Sequence, residues 1–334
     1  MSALPNTITA IIAREPGGPD VLQSVQRPMP APQPGELLIR VAAAGVNRPD
    51  LMQRSGMPTP PGTPDVLGLE AAGTVVAVGD GVQDFKPGDR VMALLNGGGY
   101  AQYCVALAAC CLPVPDELPL EDAASVPEAA FTVWHNLFEL GRLGAGDTVL
   151  IHGAASGVGS FAVQCARAAG ARVIATAGGA DKVLMLKALG VWRAVDRHRE
   201  DFVQVIAECT EGRGVDVVLD NVGGPYVARN LEAMAAGGRH VSLSFLQGAK
   251  IELDLQLLMR KGLSLTSSTL RPKSVAEKTR LATCIRANLM PWIVSGQVRP
   301  LIHTRMPLEQ AAQAHRLLES NANIGKVLLI ADAS

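Results

Sequence analysis

The sequence predicts an α/β protein in two parts, a β-rich domain and a doubly wound parallel sheet. Three observations carry that prediction. The glycine-rich run Gly153-Ala154-Ala155-Ser156-Gly157-Val158-Gly159 stands between an apolar strand pattern, Thr148 to His152, and a helical pattern, Phe161 to Ala169. From there to about residue 267, strand and helix patterns alternate. Before it, residues 1 to about 124 are rich in Pro and Gly and in short apolar runs. Alternation marks parallel βα units, whereas many short strands with Gly/Pro turns mark an antiparallel, barrel-like domain.

The first domain, residues 1–124, takes its strands from runs such as Leu37 to Val41, Gly73 to Val78 and Asp89 to Ala93. The second, residues 125–267, opens with the strand and glycine turn above. Strand Arg172 to Thr176 and helix Ala180 to Leu189 follow. Then come strand Arg193 to Val195, helix Arg199 to Glu211, strand Val215 to Leu219, helix Pro225 to Ala235 and strand Arg239 to Leu243. That order is a doubly wound sheet. The tail, residues 268–334, holds two helical stretches and a last strand, Lys326 to Ile330, and is assigned back to the first domain.

Composition narrows the function classes. With 334 residues, 48% hydrophobic and 18% charged, the chain is globular and long enough for two cores. A formal net charge of −1 argues against nucleic acid or an acidic membrane as the main partner. No apolar run reaches the ~18 residues of a bilayer span. Met1 to Thr9 lacks the basic start and apolar stretch of a signal peptide, so a soluble cytoplasmic enzyme is expected. The six cysteines form no C-x-x-C pair, and adjacent Cys110 and Cys111 are badly placed to share a tetrahedral metal. They read as thiols in a reducing compartment.

Strand, glycine turn and helix in that order place backbone N–H groups where a dinucleotide's pyrophosphate sits on a helix N-terminus. Small residues let the phosphates approach the backbone. The fit to G-x-G-x-x-G is partial: Ala154 and Ser156 stand at the first two glycine positions and Gly159 at the third. An ordinary tight βα turn is the competing explanation. The second strand ends Ala175-Thr176-Ala177-Gly178-Gly179, without the acid that holds a ribose 2′-OH in NAD-binding units. Lys182 and Arg197 instead offer cations to a 2′-phosphate, against the alternative of solvated surface charge. NADPH is expected over NADH.

Several motifs resemble the zinc-independent quinone oxidoreductases of the medium-chain dehydrogenase/reductase superfamily, and within them the p53-inducible quinone oxidoreductase group. They are Asn47-Arg48-Pro49-Asp50-Leu51-Met52-Gln53-Arg54, Leu67-Gly68-Leu69-Glu70, and Met92-Ala93-Leu94-Leu95 before Gly97-Gly98-Gly99. Ser125-Val126-Pro127-Glu128-Ala129, Ile151-His152-Gly153 with Ser156 to Gly159, and Asn323-Ile324-Gly325-Lys326 continue the match in order. The resemblance implies a GroES-like catalytic domain interrupted by a Rossmann domain. It also implies a homodimer that pairs Rossmann edge strands. Leu263 to Thr266 is the candidate edge, with an internal strand the alternative.

The resemblance also bears on metal. Zinc-dependent relatives carry a cysteine where this chain has Asn47 and a histidine where it has Leu69. Leucine cannot ligate, and an amide is a poor substitute for thiolate on zinc. No metal is expected. A quinone suits such a site, because it is already electrophilic and accepts hydride directly.

By the same resemblance, Asn47 faces the nicotinamide and substrate near the interdomain cleft. Its amide would hydrogen-bond a carbonyl, and loop capping is the alternative. Met52, Gln53 and Glu128 are the expected pocket wall. Helix packing is the alternative for the first two, and pairing or capping for Glu128. Ser156, Gly157, Val158, Gly178, Lys182, Asn221, Phe245, Ser267, Leu270 and Asn323 are the implied cofactor contacts, with Asn47 and Arg197 beside them. Related bacterial enzymes carry a tyrosine near the position of Met52, and the p53-inducible type has one near Met57-Pro58. This chain has neither, and its loop from Gly56 to Pro64 is one residue shorter. No side chain is expected as general acid, and water is the expected proton source. His152, His135 and Trp134 are expected to be structural.

Three readings compete at this point. One is an NADPH:quinone reductase that transfers hydride without a metal to small, flat quinones, ortho-quinones above all. The second is a 2-alkenal or enoyl double-bond reductase, which would want a proton donor over the α-carbon. The third is an NADPH-binding sensor or structural protein with little turnover.

Overall fold

The computed structural model describes residues 4–331. The chain divides into two compact units. One comprises residues up to 128 together with 271–287 and those from 300 onward; the other comprises 129–270 and 288–299. The expected boundaries at 124/125 and 267/268 fall within a few residues of this division. One segment differs: 288–299, assigned above to the first domain, packs with the second. The Trp292 ring lies 5.9 Å from that of Phe138. The Gln164 amide also brackets Arg299, donating to its carbonyl at 2.9 Å and accepting from its N–H at 3.0 Å.

In the first unit, Thr7–Ala13 and Leu22–Pro28 form an antiparallel pair. The larger sheet runs Ile302–Pro307, Lys326–Ile330, Glu36–Gly45, Glu70–Val78, Arg90–Leu94, Cys111–Pro113, and Tyr103–Leu107 also pairs with Glu36–Gly45. The pairings are antiparallel except that of Ile302–Pro307 with Lys326–Ile330. The central strand is buried on both faces at Leu37, Leu38 and Ile39, so its sequence is a continuous apolar run instead of an alternating one. Its neighbour approaches so closely at Gly73 that a Cβ there would lie 2.0 Å from the Arg40 carbonyl oxygen.

This topology assembles a site at strand ends. Glu36–Gly45 runs out at Gly45, opposite Leu328 on one side, and Ala44 faces Ala71 on the other. The antiparallel arrangement therefore brings Asn47, just past one strand, beside Glu70 and Lys326, the first residues of its two neighbours. Helix Arg48–Arg54 follows directly, started by Pro49 and by the Asp50 carboxylate, which accepts from the Asn47 N–H at 2.8 Å.

The second unit is a six-stranded parallel sheet, in order Arg193–Asp196, Arg172–Ala177, Thr148–Ile151, Val215–Asp220, Met234–Ser242, Ser264–Ser267. This is the doubly wound order with its switch point beside Thr148–Ile151. Helix Gly157–Ala168 starts earlier than its apolar pattern suggests, because the Ser156 hydroxyl caps it by accepting from the Gly159 N–H at 3.0 Å. Helix Tyr226–Ala233 gives way early to strand Met234–Ser242, where Gly237 and Gly238 disfavour helix. The tail holds three helices, Val275–Asn288, Met290–Val294 and Ala311–Glu319, where two were expected.

Ser264–Ser267 lies at the edge of this sheet, paired on one side only. Beside it in sequence, helix Leu255–Lys261 leaves Leu255 and Met259 71% and 79% exposed, and Leu265 on the edge strand is exposed too. Among the described residues, no helix is long and apolar enough to cross a membrane.

Candidate active site

The first unit buries a polar cluster at its strand ends. Glu70 is fully buried, and Asn47 and Lys326 nearly so. The Asn47 Nδ2 donates to Glu70 Oε1 at 2.9 Å and to the Gly45 carbonyl at 3.3 Å. Lys326 Nζ donates to Asn47 Oδ1 at 2.6 Å and forms a close ion pair with Glu70 Oε1. Glu70 Oε2 accepts from the Glu128 backbone N–H at 2.8 Å. Gly45 makes room for this carboxylate, since a Cβ there would lie 2.1 Å from Glu70 Oε1. Both amide hydrogens of Asn47 are thus committed inside the protein. The expected hydrogen bond from this amide to a substrate carbonyl would have to displace one of them.

Behind Asn47 a second polar chain runs to the surface. Asp50 accepts from the Tyr100 hydroxyl at 3.1 Å and from the Gly68 N–H at 3.3 Å, besides the Asn47 N–H. Tyr100 pairs with His315 Nε2 at 3.2 Å, and His315 Nδ1 with Arg54 at 3.3 Å. Arg54 closes the chain on Glu319. Burial pushes the Asp50 carboxyl up to about 7, partly offset by the Asn47 and Tyr100 hydrogen bonds. Burial, with Arg54 adding to it, lowers His315 to about 3, so this imidazole is neutral.

Of the expected pocket residues, Glu128 touches this cluster through its backbone. Met52 is 44% exposed. Gln53 is held at both ends, donating to the Pro64 carbonyl at 3.0 Å and accepting from Arg271 at 2.6 Å. Glu128 is half-buried at the start of helix Pro127–Val133. Burial, and then the nearby Glu70 charge, push its carboxyl up to about 7. Asn323 is buried, its amide donating to the Gly325 carbonyl at 2.7 Å.

The remaining expected cofactor residues belong to the second unit, at the carboxyl ends of its strands. Ser156, Gly157 and Val158 form the capped helix start. Gly159 is required by packing, since a Cβ there would lie 2.5 Å from the Gly153 carbonyl oxygen. Asn221 follows strand Val215–Asp220 and packs on Gly153; its Oδ1 is buried with no hydrogen-bond partner. Phe245 backs Gly223 and is 47% exposed. Ser267 ends the edge strand, and Leu270 lies half-buried three residues on.

At Gly178 the structure gathers nitrogen-bearing side chains. A Cβ on Gly178 would lie 2.6 Å from His198 Nε2 and 2.8 Å from Arg197 Nε. Burial lowers the Lys182 ammonium, and the charge of Arg197 lowers it further. An acid does stand nearby: Asp196, from the third strand, accepts from the Gly179 and His198 N–H groups at 3.2 and 3.1 Å. Those bonds hold it below the usual carboxylate range and occupy it. His152 bonds Thr176 and Asn230 at 2.9 and 2.8 Å, a structural role as expected.

These strand-end sites invite comparison with known proteins. Two family models match, Alcohol dehydrogenase GroES-like domain over residues 33–116 and Zinc-binding dehydrogenase over residues 157–283. The quinone oxidoreductase of Rattus norvegicus is 33% identical over 325 residues, 96% of this chain and 97% of that one. This chain belongs to the medium-chain dehydrogenase/reductase superfamily. Among solved structures, Escherichia coli quinone oxidoreductase complexed with NADPH aligns with a TM-score of 0.86 and 34% identity, covering 96% of this chain and 99% of that chain. A phenolphthiocerol/phthiocerol polyketide synthase polypeptide of Mycobacterium tuberculosis is 35% identical over 318 residues, 94% of this chain. The chain spans only 14% of that protein's length.

One matching model is named for zinc, and the donor set of this superfamily member does not suit that ion. Leu69 is buried and apolar, the Asn47 oxygen accepts from Lys326, and both Glu70 oxygens are bonded. An ammonium already neutralises the one carboxylate. Among the described residues, no group of three or more His, Cys, Asp or Glu is placed to hold a metal.

Two features escaped the sequence reading. The Glu70–Lys326 pair is one, because a charge opening an apolar strand reads as a solvated end. His198 is the other, hidden beside the more obvious Arg197. Removing one partner of a buried ion pair costs about 3–5 kcal/mol, chiefly from the charge left behind. Lys326→Met should therefore lose about 3 kcal/mol or more in urea unfolding, and adding Glu70→Gln should recover part of it. A loss of under ~1 kcal/mol for the single variant would show that the pair does not hold the strand ends together.

Proposed function

We propose that this protein is an NADPH-dependent quinone oxidoreductase that works without a bound metal. The observation that carries the reading is the Asn47–Glu70–Lys326 cluster, in which an ammonium holds the carboxylate and Asn47 stands at a position where the family resemblance puts a zinc-ligating cysteine. Similarity to quinone oxidoreductases over nearly the whole chain supports it. NADPH, when bound, supplies hydride. The residues present fit such a cofactor. The Ser156-capped helix start offers N–H groups to the pyrophosphate. Lys182 and Arg197 offer cations to the 2′-phosphate, and His198 offers a ring nitrogen beside Gly178. The unpartnered Asn221 Oδ1 offers a buried acceptor. Asn47 is proposed as the residue that holds Lys326 and Glu70 in register at the site. The six free thiols are in keeping with a cytoplasmic protein.

The competing reading is reduction of enals or enoyl thioesters. Three outcomes are expected. Lys182→Ala should weaken NADPH binding about ten-fold or more, the worth of a charge-assisted phosphate contact of ~1.5–3 kcal/mol, and leave NADH binding nearly unchanged. Equal losses for both would refute the 2′-phosphate assignment.

In the presence of a chelator, kcat/KM with NADPH should be much higher for 1,2-naphthoquinone than for 2-hexenal. If the enal wins, the protein is a double-bond reductase. If neither turns over, it is a binding protein. Light scattering at micromolar concentration should give a dimer, because the edge strand Ser264–Ser267 and the exposed Leu255, Met259 and Leu265 offer an unpaired, apolar rim. A monomer would count against that assembly.

A further inference from the structure

We propose that Glu128 is the proton donor of this site, giving its carboxyl proton to a quinone oxygen as the ring is reduced. The proposal rests on the quinone reading above.

Four candidate acids lie in or beside the cluster, and contacts separate them. Both Glu70 oxygens are bonded, one to Lys326 and Asn47, the other to the Glu128 N–H. Asp50 is sealed at 0% exposure and accepts three hydrogen bonds. Tyr100 is equally sealed and bonded to Asp50 and His315. Glu128 alone differs. Its backbone is pinned to Glu70, yet its carboxyl takes no hydrogen bond and joins no ion pair among the described residues. The residue is half-buried, and neither of its oxygens is among the sealed, unpartnered atoms. The carboxyl is thus not sealed, and among the described residues the protein leaves it unused.

The surroundings poise that carboxyl between its two states. Burial and the charges of Glu70 and Asp50 favour the neutral acid, whereas Lys326 and Lys278 favour the anion. Arg271 also faces it. The balance lies at about 7. An acid so placed is protonated in a large fraction at neutral pH and gives up its proton readily.

The step balances. The hydride brings two electrons and one proton to the quinone, the Glu128 O–H bond breaks, and a new O–H bond forms on the quinone oxygen. The products are the hydroquinone, the oxidised nicotinamide and the Glu128 carboxylate. Water then returns the proton to Glu128.

Glu128→Gln keeps the shape and the backbone bond to Glu70 while removing the proton. With 1,2-naphthoquinone it should lower kcat about 100-fold at roughly pH 6 and leave NADPH affinity within about two-fold. Wild-type kcat should fall as pH rises above about 7, that limb should vanish in Glu128→Gln, and Glu128→Asp should retain it. A second readout needs neither cofactor nor substrate. Because burial raises the folded carboxyl from 4.5 to about 7, the wild type should lose thermal stability relative to Glu128→Gln between those pH values and no further above them. A fast Glu128→Gln enzyme, or a slow one with the wild-type pH limb, would overturn the proposal and leave the quinone reading standing. A flat stability difference would overturn it as well. A wild type that turns over no quinone would overturn the quinone reading and the proposal with it.

Discussion

One buried carboxylate organises the end of the first unit's sheet. Stripping a carboxylate of water costs several kcal/mol even after relaxation, so Glu70 must be met by donors from every side. Two strand ends and one helix start supply them: the Asn47 amide, the Lys326 ammonium and the Glu128 N–H. Gly45 supplies the space. None of these groups is adjacent in sequence to another except Gly45 and Asn47, two residues apart. The antiparallel pairing of Glu36–Gly45 with both Glu70–Val78 and Lys326–Ile330 is what makes them neighbours. The fold is in this sense a device for bringing one anion, one cation and one amide to the same corner.

The chemistry follows from the size of the charges. A zinc ion carries two positive charges and binds through open coordination positions. An ammonium carries one and spends it here on Glu70 and Asn47. Such a corner cannot pull electron density from an alcohol oxygen as a Lewis acid does. It can hold a geometry and bias the local potential. Acceptors that need no activation fit this limit, which is why the quinone reading and the donor set agree.

The sheet of the second unit was legible because its pattern is local. Strands Thr148–Ile151, Arg172–Ala177 and Val215–Asp220 are short, mainly apolar runs, with helical patterns between them. Where the reading missed, tertiary context had intervened. Residues 288–299 carry no local mark of which core they join; the Phe138–Trp292 contact and the Gln164 bracket decide it. Of the proposed site, Asn47, Gly178, Lys182 and Arg197 stood out in the sequence, where residue identity departs from a pattern. Lys326 and His198 did not. A lysine before an apolar strand and a histidine in a charged triplet are ordinary surface residues until the fold turns them inward or gathers them around a glycine.

Asp50 and Glu128 show why a shifted pKa is not itself a functional signal. Both carboxyls are pushed to about 7, and for both burial is the largest cause. Asp50 uses its position to start helix Arg48–Arg54 and to anchor Tyr100, and its oxygens are fully engaged. Its proton has nowhere to go, so its elevated pKa records a structural cost. Glu128 carries the same perturbation in a half-buried residue, with nothing bonded to its oxygens among the described residues. The difference is accessibility, and accessibility comes from where each residue sits on its helix. Asp50 is at the third position, folded back over the helix start, whereas Glu128 follows Pro127 with its backbone tied to Glu70 and its side chain left over. Two carboxyls pushed the same way by burial thus differ in how their oxygens are engaged, a difference that the sequence alone does not display.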